Sequence, residues 1–174
     1  MQRVFHSIRF KVNKVSGSSG SPFFIFGLME LNELYHLADR IAAKAHSGQT
    51  DKGGHPYYDH PRRVADRCED IRAKIVALLH DTIEDTDVTI ASLRSQGFPE
   101  DILEGVLSVT KQEGESYDDF IRRAGQNPLG RIVKLADLED NMDIRRLNEI
   151  TDIDVARLRK YLRSWQYLAG KYSV

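Results

Sequence analysis

Leu31, Leu34, Leu37, Ala38, Ile41, Ala42 and Ala45 recur at spacings of three and four, the period of one face of a helix. No later segment alternates polar and apolar residues with a period of two. A chain patterned this way has no strands to pair and must bury helix against helix. The expected fold class is all-α: one domain, a helical bundle of about eight helices. The 174 residues suffice for one domain with a sizeable core, and no internal repeat divides them.

The breaks between helices are marked. AHSGQTDKGGHPYYDHP (45–61) interrupts the first helix with three glycines and two prolines. Asp59-His60-Pro61 starts a new helix, with proline in the first turn, running to about Cys68. A further helix is expected over 71–84, followed by Asp87–Gln96, Pro99–Val109, Ser116–Ala124, Leu129–Met142 and a long amphipathic Asp152–Ala169.

Residues 1–28 differ from the rest. Arg3, Arg9, Lys11 and Lys14 are basic, and the first acidic residue is Glu30. SGSSGS (16–21) reads as a flexible linker. PFFIFGLM (22–29) is apolar but lacks the small-residue cleavage pattern of a secretory signal. The expectation is a flexible extension over 1–28 and a domain over 29–174. The basic, acid-free composition also fits an organelle transit peptide. A net charge of -1 gives no global pull toward nucleic acid or a membrane surface. A single cysteine, Cys68, excludes an intrachain disulfide and suits a reducing, cytoplasmic compartment. No apolar run is long enough to span a bilayer.

The chemistry concentrates in IVALLHDTIEDT (75–86). An apolar run ends in His80-Asp81, and Glu84-Asp85 follow one helical turn later, so Glu84 is expected near His80 and Asp85 near Asp81. An imidazole and three carboxylates together are costly to desolvate unless a cation or substrate sits among them. His60 heads the preceding helix, and Asp137 lies among Ile132, Val133, Leu135 and Ala136, where a buried carboxylate needs a partner. Two imidazoles and two carboxylates suit a divalent ion such as Mn²⁺, Fe²⁺ or Zn²⁺ without selecting among them. The plainer alternative pairs Asp137 with Lys134 or Arg131 and leaves the histidines as ordinary core residues.

In order and spacing, AHSGQTDKGGHPYYDHPRRVA (45–65), IVALLHDTIEDT (75–86), VTK (109–111) and VKLADLEDNM (133–142) resemble the HD superfamily of metal-dependent phosphohydrolases. The closer resemblance is to the hydrolase domain of the Rel/SpoT alarmone enzymes and to the stand-alone small alarmone hydrolases of the metazoan SpoT homologue type, over roughly 30–170. The resemblance implies an HD-type bundle. It implies that His60, His80, Asp81 and Asp137 ligate a divalent metal, most often Mn²⁺, and that Glu84 and Asp85 set up the attacking water. It assigns Asn141 and Lys52 to the nucleotide and offers Lys111 for the pyrophosphate. Arg157 and Tyr161, four apart on the last helix, match a phosphate clamp. The implied reaction is hydrolysis of the 3′-pyrophosphate of guanosine 3′,5′-bis(diphosphate), giving GDP or GTP and pyrophosphate. The implied partner is a small nucleotide, with no nucleic acid and no membrane. Oligomeric state is left open.

Two departures stand out. Long bifunctional members usually carry Arg-Lys where this chain has Asp51-Lys52, and RLHN where it has Leu138-Glu139-Asp140-Asn141. The missing arginine loosens the expected choice of base. An adenosine alarmone or NADPH is thus an alternative substrate, and a metal-bearing nucleotide-binding module without turnover is a second alternative. A synthetase domain would need on the order of 100 further residues, so the hydrolase half alone is expected.

Overall fold

The computed structural model describes residues 22–171. Nine α-helices and one 3-10 helix make up these residues, with no strand among them. The first, α1, spans Pro22–Ala45; α2, α3 and α4 span Asp59–Asp66, Ile71–Leu79 and Thr82–Asp85. Next come α5 (Ile90–Ser95), α6 (Glu100–Val109), α7 (Tyr117–Gln126) and α8 (Pro128–Asn141). The 3-10 helix Ile144–Arg146 and α9 (Asp152–Leu168) complete the bundle. The all-α architecture is the one the sequence leads one to expect.

Helix α3 is the centre of the bundle. Ala73, Ile75, Val76, Ala77, Leu78 and Leu79 are all buried, and a helix apolar on every side must be surrounded. Helices α1, α2, α6 and α8 pack around it. A smaller cluster of Ile121, Leu138 and Leu168, flanked by Tyr161 and Trp165, joins α7, α8 and α9. Helices α6 and α8 meet closely, since a Cβ added at Gly130 would fall 2.0 Å from Ser108 Oγ.

Local chemistry fixes the ends. Asp70 caps α3 by accepting from the amides of Arg72 and Ala73. Thr89 and Thr151 form capping boxes with Ser92 and Asp154. Asn127 caps α8, with Pro128 at its first position.

Several boundaries differ from expectation, among them α5, expected over Asp87–Gln96 but begun at Ile90, where Thr89 caps it. The helix expected over 71–84 breaks at His80-Asp81 into α3 and α4. His80 Nδ1 lies 2.7 Å from the Ala77 carbonyl oxygen, and Thr82 Oγ1 donates to the Leu79 carbonyl oxygen at 2.7 Å. These side chains take over carbonyls at the end of α3, and Asp81 becomes the first flanking residue of α4. Helix α2 ends at Asp66, so Cys68 lies just beyond it, buried, with its thiol pKa pushed up by burial to about 11. At the amino end, α1 begins at Pro22, ahead of the expected domain start at Met29, while residues 1–21 of the expected extension lie outside the described residues.

Candidate metal centre and adjoining groove

The helix ends converge on one point. Helix α2 brings His60 in its first turn, the α3–α4 break brings His80 and Asp81, and α8 brings Asp137. His60 Nε2 lies 3.3 Å from Asp137 Oδ1 and 3.7 Å from Asp81 Oδ2. His80 Nε2 lies 3.1 Å from Asp81 Oδ2 and 3.7 Å from Asp137 Oδ1. His60, His80 and Asp137 are buried, and one ligand atom of each lies within 4.8 Å of the others.

The tautomers decide what this cluster can hold. The Ala77 carbonyl only accepts, so His80 Nδ1 is the donor. Nε2 of the neutral ring is then a bare lone pair, buried with no hydrogen-bond partner and aimed at two carboxylates. His60 is arranged alike, with Nδ1 2.8 Å from Asp140 Oδ2. With both rings neutral, acceptors face acceptors, and a proton or a metal cation must sit between them. Two donors each about 2.1 Å from one ion sit roughly 3.0 Å apart at a right angle and 3.4 Å apart at a tetrahedral angle. The four observed separations of 3.1 to 3.7 Å fit a divalent ion.

The electrostatics agree. Burial opposes charging of His60, but hydrogen bonds to Asp137 and Asp140 and the charge of Asp81 outweigh it and raise its pKa to about 9. His80 is raised against the same desolvation by Asp81 and Asp137. Burial pushes Asp137 upward, but Lys134 and the two histidines hold it well below the usual carboxylate range. The cluster therefore attracts positive charge.

The Lys134 pairing considered as the plainer alternative is present together with the histidines. Lys134 Nζ sits 2.8 Å from Asp137 Oδ2, leaving Oδ1 to face the imidazoles. Asn141 Nδ2 also donates to Asp137 Oδ1.

A cleft of about 320 Å³ opens over this cluster, and Glu84, Lys111, Asn141 and Tyr161 line it. Glu84 Oε1 accepts from the Lys111 amide at 2.6 Å. Burial raises the Glu84 pKa, the amide opposes this, and the charge of Asp81 adds to it. Asp85, like Glu84 largely exposed, does not line the cleft; partial desolvation and the charge of Asp81 raise its pKa. Lys52 and Arg157 line an adjoining groove, which shares Tyr57, Asn141, Arg146 and Tyr161 with the cleft. Lys52 Nζ is paired with Asp154 at 3.1 Å. The five expected substrate residues thus divide between the two spaces. Asp51 also lines this groove, with its carboxylate held in the loop: Oδ1 accepts from the Gly53 and His55 amides at 2.9 Å each.

Three contributors escaped the sequence reading. Tyr57 donates to Asp81 Oδ2 at 2.6 Å; its place in the motif was visible, its partner was not. Asp140 accepts from His60, and Arg146 forms part of the shared wall. Helix-face periodicity does not reveal such contacts.

No family model matches the chain. It is 33% identical over 117 residues to the guanosine-3′,5′-bis(diphosphate) 3′-pyrophosphohydrolase of Aquifex aeolicus, covering 60% of this chain and 17% of that protein. It is 33% identical over 117 residues to the bifunctional (p)ppGpp synthase/hydrolase SpoT of Escherichia coli, covering 59% and 16%. A probable GTP pyrophosphokinase of Mycobacterium leprae is 34% identical over 122 residues, covering 63% and 15%. The chain thus spans only 15%, 17% and 16% of the length of the Mycobacterium, Aquifex and Escherichia relatives. Its fold matches a solved structure described as a metazoan ortholog of SpoT that hydrolyzes ppGpp, with a TM-score of 0.63 at 22% identity, covering 78% of this chain and 84% of that one. In motif order, sequence and bundle, the chain resembles the hydrolase domain of Rel/SpoT-type alarmone enzymes.

Proposed function

We propose that the chain is a metal-dependent phosphohydrolase that removes the 3′-pyrophosphate of guanosine 3′,5′-bis(diphosphate) or its pentaphosphate, releasing GDP or GTP and pyrophosphate. The observation that carries this reading is the convergence of His60, His80, Asp81 and Asp137 beneath a cleft lined by Glu84. The likeness to relatives named as 3′-pyrophosphohydrolases supports the substrate class. Other relatives carry synthetase names, but the hydrolytic reading accounts for the buried ligand cluster.

His60, His80, Asp81 and Asp137 would hold the ion, with Mn²⁺ favoured over Mg²⁺ because imidazole is a poor ligand for the harder ion. When bound, a divalent ion makes a water at the site easier to deprotonate and offsets charge on the phosphorus under attack. Glu84 accepts the proton from that water, its raised pKa suiting it as a base, whereas Asp85, outside the cleft, acts only through its charge. Water oxygen bonds to the phosphorus attached to the ribose 3′ oxygen, the bond to that oxygen breaks, and the proton taken up by Glu84 returns to the 3′ oxygen of the departing GDP or GTP. Lys111 and Lys134 in the cleft stabilise the added negative charge. Lys52 and Arg157, from the groove, bind the remaining phosphates, with Asn141 and Tyr161 at the boundary.

Asp51 favours a second reading of the base. Its carboxylate is engaged in the loop turn and supplies no base-stacking group, so adenosine 3′-pyrophosphates are accepted as well. Losing one charge-assisted contact costs about 1.5–3 kcal/mol. Nucleotides without a 3′ group are therefore discriminated against by roughly ten- to hundredfold. The test compares kcat/KM for guanosine and adenosine 3′-pyrophosphates, NADPH, GTP and ATP. Faster orthophosphate release from NADPH than pyrophosphate release from either alarmone would overturn the alarmone reading and leave the phosphohydrolase chemistry standing.

A further inference from the structure

Asp140 is fully buried, yet it is not one of the four residues grouped around the candidate ion. It sits on α8 three residues after Asp137, so both project from one face. Across from it, α2 and the residue after it present His60, Arg63 and Arg67 at spacings of three and four. Asp140 Oδ2 lies 2.8 Å from His60 Nδ1. Arg63 donates to Oδ1 from Nε at 3.0 Å and to Oδ2 from Nη2 at 3.1 Å. Arg67 Nη2 reaches Oδ1 at 3.4 Å. Arg146 donates to the Asp140 backbone carbonyl at 2.7 Å, and its Nη2 lies 3.6 Å from Oδ2.

We propose that Asp140 is a positioning residue for the metal centre: caged by three arginines, it fixes His60 with Nδ1 protonated and Nε2 turned bare toward the ion. The inference rests on the reading of His60 as a ligand. Its logic is one of donors and acceptors. A carboxylate surrounded by guanidinium groups stays ionised, and an ionised carboxylate only accepts. His60 Nδ1 must therefore donate, and the other nitrogen carries the lone pair. That nitrogen is the one 3.3 Å from Asp137 Oδ1 and 3.7 Å from Asp81 Oδ2. A simple brace between α2 and α8 would use the arginines alone. Here one carboxylate oxygen is shared between Arg63 and the imidazole. A carboxylate behind a ligating histidine commonly contributes 10- to 100-fold in metal affinity.

The experiment titrates Mn²⁺ alone into EDTA-stripped full-length protein by calorimetry. The set is wild type, Asp140→Asn and Arg67→Ala. Asp140→Asn should weaken Mn²⁺ binding 10- to 100-fold. Arg67→Ala, which removes a partner of Asp140 but no contact to His60, should lower the melting temperature and leave Mn²⁺ affinity within about threefold. An Asp140→Asn affinity within threefold of wild type makes Asp140 a brace and overturns the proposal. Imidazole ¹⁵N spectra of the Zn²⁺-loaded wild type keep the test independent of whether the variant folds. They should show His60 protonated at Nδ1, and protonation at Nε2 overturns the proposal. If wild type binds neither ion, the metal reading itself fails, an outcome distinct from failure of Asp140 alone.

Discussion

Replacing Lys134 with methionine isolates the electrostatics of the candidate metal centre. Lys134 Nζ is 2.8 Å from Asp137 Oδ2, and their side chains are 12% and 5% exposed. Burial opposes the lysine's charge, but Asp137 raises its pKa well above the ordinary value. Methionine keeps the apolar stem beside Phe120, over whose ring the ammonium sits at 4.7 Å. What is lost is the charge partner of a buried carboxylate, a change that costs about 3–5 kcal/mol when nothing replaces it. His60 and Asn141 also contact Asp137, so the lower end, about 3 kcal/mol, is expected for metal-stripped protein. At roughly 2–4 °C per kcal/mol for a chain of this size, the melting temperature falls by about 6–12 °C. Urea unfolding of stripped and Mn²⁺-saturated protein measures both states. Saturating Mn²⁺ should shrink the loss, because a cation beside Asp137 again offsets its charge. A loss below about 1 kcal/mol in stripped protein, the size of an exposed pair, would refute the buried-pair account. An equal loss with and without Mn²⁺ would show that no ion reaches Asp137.

Other expectations follow from the same geometry. Glu84→Gln should bind Mn²⁺ like wild type and lose most turnover; wild-type rates in a metal-loaded variant would remove Glu84 from the base role. In metal-stripped protein, burial and the charge of Asp81 outweigh the Lys111 amide and raise the Glu84 pKa above its ordinary 4.5, and an ion bound to Asp81 should lower it again. Carboxyl ¹³C titration of Glu84 with and without Zn²⁺ loaded at the metal site checks this; a stripped-state value at or below 4.5 would contradict it. A chain beginning at Met29 should melt cooperatively and keep its kcat, because Leu31, Leu34, Leu37, Ala38, Ile41 and Ala42 contribute to the core from beyond that point. A tenfold drop, about 1.4 kcal/mol in barrier, would place residues 22–28 within the functional domain.

The fold was legible where local chemistry decides it. The expected starts at 71, Ser116, Leu129 and Asp152 fall within one residue of the observed ones, where Asp70, Ser116, Asn127 and Thr151 cap with their own side chains, while the start expected at Asp87 falls three residues before Ile90. The break at His80-Asp81 was not legible, because periodicity does not show a side chain competing for backbone carbonyls. The types and spacing of His60, His80, Asp81 and Asp137 suggested one polyvalent site, and folding brings them together. Asp140 escaped because its partner His60 is 80 positions away. Lys134 was legible as a partner of Asp137, but sequence offered it in place of the histidines, whereas Asp137 uses one oxygen for each. The division of Lys52 and Arg157 from Lys111 depends on where the 50–56 loop and α9 meet, a long-range contact with no local signature.

The most direct test follows the phosphorus. Guanosine 3′,5′-bis(diphosphate) is incubated with EDTA-stripped protein, with and without added Mn²⁺, and products are read by ³¹P NMR. The account predicts pyrophosphate and GDP in equal amounts with Mn²⁺ and neither without it. Orthophosphate as the first product, or turnover that persists in EDTA, would contradict it.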